Sequence, residues 1–274
     1  MPIHPTAVVD PNAQIDPTAE IGPFASIGPN VTIGARTQVM SHAFLEGHTT
    51  IGEDNKIYPG AVIGTPPQHL GWAGAPTYTV IGDRNTFREY VTIHGSYVQG
   101  GRTLIGNDNY LMANAHVGHD SVVGHNVTIA NASMLGGHVE VQDRCFISGL
   151  VGVHQFCRVG RLVMIAGVAR ITRDVPPYMM AYGDSEVIGI NLVGLRRAGI
   201  SAASQAEIKK AYRVLYDERR SLPAALKILK AVPRSPEVQH LIAFLESSKR
   251  GICGGLRSSR KGEAPPEPSD AKVI

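Results

Sequence analysis

Large aromatic side chains are scarce, with Phe, Trp and Tyr making up 6% of the 274 residues. That shortage argues against a helical core filled by rings, whereas 30 glycines and abundant Ile and Val suit short strands joined by tight turns. Cysteine is nearly absent too: Cys145, Cys157 and Cys253 cannot all pair and show no CxxC spacing, so reduced thiols in a cytoplasmic protein are expected. No run of 18 apolar residues occurs, which excludes a spanning helix. The opening Met1-Pro-Ile-His-Pro-Thr has no basic segment followed by an apolar one, so no secretory signal is expected. The length suffices for a large core in one or two domains.

What the chain does have is a period. Every sixth residue from Ile3 to Ile171 gives 29 positions, of which 25 are Ile, Leu or Val and one more is Phe87; only His69, Ala75 and Gln99 break the pattern. Glycine often follows, as at Gly22, Gly52, Gly82, Gly118 and Gly136. Neither a helical period of 3.6 nor a strand period of 2 leaves one aliphatic every six residues. A hexad reads as one flat side of a coil: a short strand, a tight corner and one inward aliphatic. Three sides close a turn, so residues 18 apart stack roughly 4.8 Å apart as parallel strands do. This hexapeptide signature resembles the left-handed parallel β-helix, mainly β in class, whose hand breaks the usual crossover rule.

The breaks locate two excursions, at 65–79 and 96–102, both of which keep the repeat in phase. Such loops are where binding groups reside. The rhythm stops after Ile171, so we divide the chain into a β-helix domain at 1–190, a helical domain at 191–253 and a disordered tail at 254–274. In the helical part Ile208, Ala211, Tyr212, Leu215 and Tyr216 form one apolar stripe, with Ser204 and Glu207 as its capping box. Leu222 to Leu229 and Val238 to Leu245 make two more helices, the latter begun by Ser235 and Pro236. Charge is uneven: residues 1–190 hold 10 Lys+Arg against 15 Asp+Glu, a net of −5, while 191–250 hold 12 against 5, a net of +7. A basic module on an acidic body fits an acidic partner or a phosphate-bearing substrate as well as a solvated helical face.

The chemistry collects in Asn114-Ala-His-Val-Gly-His-Asp120. With 18 residues per coil, His119, Gly137 and Gln155 share one column, and Asp120, His138 and Phe156 share the next. His116 lies one corner earlier and His154 adjoins Gln155, so four histidines and a carboxylate crowd one ridge. Two chemistries fit. A histidine beside a carboxylate can activate a hydroxyl as general base, with a corner N–H such as that of Gly137 holding an oxyanion. Alternatively, three histidines can ligate zinc, as in a γ-type carbonic anhydrase-like lyase.

Together, the hexads, this run, Leu135-Gly-Gly-His-Val139, Val153-His-Gln-Phe-Cys157, Asp174-Val-Pro-Pro-Tyr178 and Gly194-Leu-Arg-Arg197 resemble the acyl-ACP–UDP-N-acetylglucosamine O-acyltransferases, the LpxA family that begins lipid A synthesis, over about residues 1–250. The resemblance implies a homotrimer with sites between subunits, no cofactor, no metal, no nucleic-acid partner, and an acyl carrier protein and a UDP-sugar as partners. By its pattern His119 is the base, Asp120 its orienting group and Gly137 the oxyanion donor. His116, His138, His154 and Gln155 line the cleft, Gln68 and His69 lie in the sugar loop, and Asn191 and Arg197 serve nucleotide or carrier. The sequence departs from the family at His69 and Gly71, where Asp and Lys are common, and at Val193 and Ala198. These departures fall on the acceptor side and admit a 3-amino analogue of UDP-N-acetylglucosamine.

Overall fold

In a computed structural model, described here for residues 3–217 and 220–255, the hexads wind into a left-handed parallel β-helix followed by a short helical module. Three parallel sheets form its sides. The first runs from Val8–Val9 to Arg170–Ile171 in nine strands, the second from Gln14–Ile15 to Arg158–Val159 in eight. The third starts at Glu20–Ile21 and gains three strands after the solenoid, to reach eleven. Register follows the repeat, with Ser26 opposite Val8 and Phe44 opposite Ser26. The ladder aliphatics from Ile21 to Ile171 are buried as one continuous core.

Corners require left-handed backbone, and here ordinary residues adopt it. Arg36, Asp54, Arg84, Asp108, Asn126 and Arg144 form one corner column with φ between 55° and 59°. Asp and Asn tolerate that region, whereas Arg takes it only because each corner is fixed by bonds to the next coil. From Ala19 to Ala169 the position two before a buried ladder residue is Ala, Val, Cys, Ser, Thr or Asn. Along one corner Thr37 Oγ1 accepts from Asn55 N–H, Asn55 Oδ1 from Asn85, Asn85 Oδ1 from Asn109 and Asn109 Oδ1 from Val127. Buried amides persist there because each is satisfied by its neighbours in the stack.

The excursions lie in phase but lengthen their coils. Val62 pairs with Thr92, 30 residues on, and Thr92 with His116, 24 on, in place of 18. Both leave the helix at the same corner, between the first and second sheets. That corner is the one carrying His119, Gly137 and Gln155.

Past the last hexad, Met179–Tyr182 continues the third sheet, Glu186–Ile190 pairs antiparallel to it, and Gly254–Gly255 adds a parallel edge strand. The expected tail therefore begins no earlier than residue 256, and its remainder lies outside the described residues. Among the described residues four α-helices follow Ile190: α1 (Leu192–Arg197), α2 (Ala202–Tyr212), which runs on into a π-helical turn at Arg213–Asp217, α3 (Leu222–Lys230) and α4 (Pro236–Glu246). The capping box expected at Ser204 and Glu207 is not formed. Ser201 caps α2 by accepting from Ser204 N–H, and Glu207 instead accepts from the N–H of Ser235. The chain turns at Gly199 (φ 72°), which starts α2 three residues sooner. Arg158 fastens this module to the final coil: it pairs with Asp174 at 3.1 Å, donates to Phe244 O at 2.8 Å and lies 4.1 Å over the Phe244 ring.

Candidate active site

His119 sits at the turn from strand His116–Val117 to strand Val122–Val123, its Nδ1 2.7 Å from Asp120 Oδ2. Asp120 adopts φ 59°, which swings its carboxylate back over the second excursion. There Oδ1 accepts from the Ser96 hydroxyl and Oδ2 accepts from Tyr97 N–H at 2.9 Å, while Asp120 N–H donates to Thr103 Oγ1 at 2.9 Å. Burial of this carboxyl works to raise its pKa, but the bonds from Ser96, His119 and Tyr97 outweigh it and hold the group below the usual carboxylate range. An ionised Asp120 on Nδ1 keeps the proton there, so His119 presents the lone pair of Nε2 as a base.

Gly137 lies against that face. A Cβ at 137 would come within 2.5 Å of His119 Nε2 and Cε1, so only glycine lets the coil below approach the imidazole. Among the described residues the Gly137 N–H has no hydrogen-bond partner, whereas its carbonyl accepts from Phe156 N–H. It is thus a donor available beside the base.

Other rings close around the dyad. His138 meets His119 edge-on at 5.3 Å and stacks on Phe156 at 4.6 Å; its Nε2 is 3.7 Å from Asp120 Oδ2. Burial lowers the His138 pKa despite the attraction of Asp120. His69, exposed on the first excursion, lies on Tyr97 of the second at 3.7 Å and is edge-on to His119 at 5.4 Å. His116 bonds Thr92 Oγ1 at 2.8 Å and lies 5.3 Å from His94. Burial, helped by His94 and His119, pushes the His116 pKa down to about 4, so this ring is neutral.

The remaining expected residues are spread more widely. Gln68, His154 and Gln155 are exposed, Gln68 on the first excursion and the other two one coil below Gly137. Arg197 is exposed in the last turn of α1. Asn191, expected to serve nucleotide or carrier, has its amide engaged by the chain itself: Oδ1 caps α1 through Gly194 N–H and Nδ2 donates to Leu162 O, both at 2.9 Å. Ser96, Tyr97, Thr103 and His94 were not legible as site residues. Only His94 carried a signal, standing directly after ladder residue Ile93 where glycine is usual.

For a metal, His119, Asp120 and His138 offer atoms within 4.8 Å of one another. The fit is poor in its donor set. Asp120 already accepts from Ser96, Tyr97 N–H and His119, so ligation through its carboxylate would compete with the bonds that hold the dyad.

The chain resembles known proteins over most of its length. Residues 174–253 match the family model described as UDP N-acetylglucosamine O-acyltransferase, domain 2; residues 102–137 match the bacterial transferase hexapeptide model, and residues 3–107 the GMPPB C-terminal domain. It is 46% identical over 220 residues to the acyl-[acyl-carrier-protein]–UDP-N-acetylglucosamine O-acyltransferase of Thermodesulfovibrio yellowstonii, across 79% of this chain and 85% of that one. To the enzyme of the same description from Gloeothece citriformis it is 47% identical over 248 residues, 90% of each chain. The solved UDP-N-acetylglucosamine acyltransferase of Francisella novicida superposes with a TM-score of 0.90 at 38% identity, over 94% of this chain and 95% of that.

Proposed function

The chain belongs to the acyl-[acyl-carrier-protein]–UDP-N-acetylglucosamine O-acyltransferase family, and on that premise we propose that it transfers an acyl chain from the carrier-protein thioester to the 3-hydroxyl of UDP-N-acetylglucosamine, the opening step of lipid A synthesis. Family membership decides between the two chemistries that the histidine ridge left open, in favour of acyl transfer.

The His119–Asp120 dyad against Gly137 carries the reading. His119 Nε2 takes the proton of the acceptor hydroxyl as its oxygen attacks the thioester carbonyl. Charge on the resulting tetrahedral oxygen is met by the Gly137 N–H, and the imidazolium is stabilised by Asp120. Collapse breaks the carbon–sulfur bond, and the departing thiolate of the carrier receives the proton from His119. Ester and thiol are the products, and no metal or organic cofactor enters. His116, kept neutral by burial, and His138 line the approach with Gln68, His69, His154 and Gln155, while Arg197 on the basic module meets phosphate or the acidic carrier.

We further read the protein as a cytoplasmic homotrimer. One corner column runs Phe24, His42, Gly60, Tyr90, Asn114, Ala132, Leu150 and Val168, and its exposed apolar members Phe24, Tyr90, Leu150 and Val168 are ones that a neighbouring copy would cover. The three cysteines are free and buried, which suits a reducing compartment. Among the described residues no helix is long and apolar enough to cross a membrane. An assay pairing acyl carrier proteins of several chain lengths with UDP-N-acetylglucosamine tests the reaction. Light scattering tests the trimer; a monomer mass would overturn it. The 3-amino sugar remains a second reading, favoured by the exchange of a loop cation for Gly71 beside the His69–Tyr97 stack.

A further inference from the structure

The second excursion does more than bulge. Ser96, fully buried, sits where the chain leaves strand Thr92–His94. Its Oγ accepts from Val98 N–H at 3.0 Å, and its single hydrogen has two acceptors in reach, Val98 O at 3.1 Å and Asp120 Oδ1. An ionised carboxylate is the stronger acceptor, so the proton goes to Asp120. Gly101 closes the loop over this hydroxyl, and any side chain there would collide with Ser96 Oγ.

The other carboxylate oxygen is contested. Asp120 Oδ2 lies 2.7 Å from His119 Nδ1 and 3.7 Å from His138 Nε2, so two imidazoles face it, with His69 beyond them. Among the described residues no lysine or arginine pairs with Asp120. Rotation of the carboxylate would transfer it from the base to its neighbour. The Ser96 hydroxyl on Oδ1 and Tyr97 N–H on Oδ2 oppose that rotation.

We propose that Ser96 is a positioning residue of the reaction: its hydroxyl fixes Asp120 with Oδ2 turned to His119, so that a group outside the hexad repeat sets the orientation of the base. The inference rests on His119 as the base assigned above. Removal of the hydroxyl leaves a buried carboxylate oxygen without its donor, which raises the Asp120 pKa and releases the carboxylate toward His138.

The test is a kinetic cycle with a spectroscopic arm. Ser96→Ala should lower kcat about ten- to hundred-fold with KM for both substrates little changed, the loss of one hydrogen bond to a charged group. In an Asp120→Asn background the same substitution should cost nothing further, because its effect passes through the carboxylate. Ser96→Thr, which retains the hydroxyl, should keep most of the rate. Carbon-13 NMR should show the Asp120 carboxyl titrating at higher pH in Ser96→Ala than in wild type. A kcat for Ser96→Ala near that of wild type, an equal loss in both backgrounds, a Thr variant as slow as Ala, or an unmoved Asp120 titration would each overturn the inference. A wild-type protein without acyl transfer would overturn the reaction reading instead, with the carboxyl titration still deciding the contact.

Discussion

Asp54 and Asp120 stand in nearly the same backbone conformation, φ 57° and 59°, on two corners of one coil architecture. Each titrates below the usual carboxylate range, yet for different reasons. Asp54 takes a two-pronged bond from Arg36, both contacts at 2.7 Å, with 41% of its side chain exposed. Water and salt screen such a pair, so it adds little to stability and nothing to chemistry. Asp120, 9% exposed, has no lysine or arginine partner among the described residues but a hydroxyl, an amide and an imidazole. Its bonds are short, unscreened and aimed. The corner supplies only a direction; the loop that roofs it decides whether a carboxylate decorates the surface or serves a base.

This contrast can be broken at several strengths. The largest effect belongs to His119→Ala, which should slow turnover by about 10²–10⁴ with circular dichroism unchanged, since a corner side chain is not part of the ladder. Next, Gly137→Ala should cost about 10² in kcat because its methyl would displace the His119 ring, and a crystal structure of the variant should show the imidazole moved. Gly71→Lys restores a cation to the acceptor loop. Its Cβ would meet Tyr97 Oη at 3.1 Å and His69 at 3.3 Å, contacts that those ring ends can relieve, and KM for UDP-N-acetylglucosamine should fall about ten-fold. No change there, beside an already tight KM in wild type, would mean that the loop departures are neutral.

Acid stability gives a smaller signal. His116, with its pKa lowered from the ordinary 6.5 to about 4, binds a proton in the unfolded chain before it does in the folded one. Stability from this ring is therefore complete above pH 6.5 and is lost as pH falls toward 4, and His94 and His138, also lowered, act in the same sense. Asp120, held low, adds a loss at still lower pH. Thermal melts of His116→Asn should show a flatter fall in Tm across that window than wild type. The smallest effect is reserved for the surface column: Arg36→Ala should leave kcat untouched and move Tm by about 1 °C or less, a difference that salt erases.

The solenoid and its columns were legible because the hexad is a strict period, and a period converts sequence distance into position. His138 N–H does bond His119 O, and Phe156 N–H bonds Gly137 O, one coil apart as 18-residue spacing requires. Where the period lapses, so does that inference. Ser96 and Tyr97 lie in an aperiodic segment, and nothing in their local sequence says that they fold onto a carboxylate more than 20 residues later. His69 reaches His119 only because two loops leave one corner in succession, which shows in the lengthened coils and not in residue types. The start of α2 at Ser201 was hidden for a related reason. Either of two serines could cap, and the turn at Gly199 chose between them.

The two ends of the solenoid differ in a way that bears on self-association. At the first coil Ile3 is 41% and Val8 69% exposed, and parallel strand edges stand open. At the other end Glu186–Ile190 runs antiparallel to Met179–Tyr182, and Arg158 ties the end of α4 to the last coil. In polymer terms the two termini differ in reactivity. Among the described residues the far end offers the two-residue edge Gly254–Gly255 beside an antiparallel partner, so accidental edge pairing favours a head-to-head pair of first coils over a fibre.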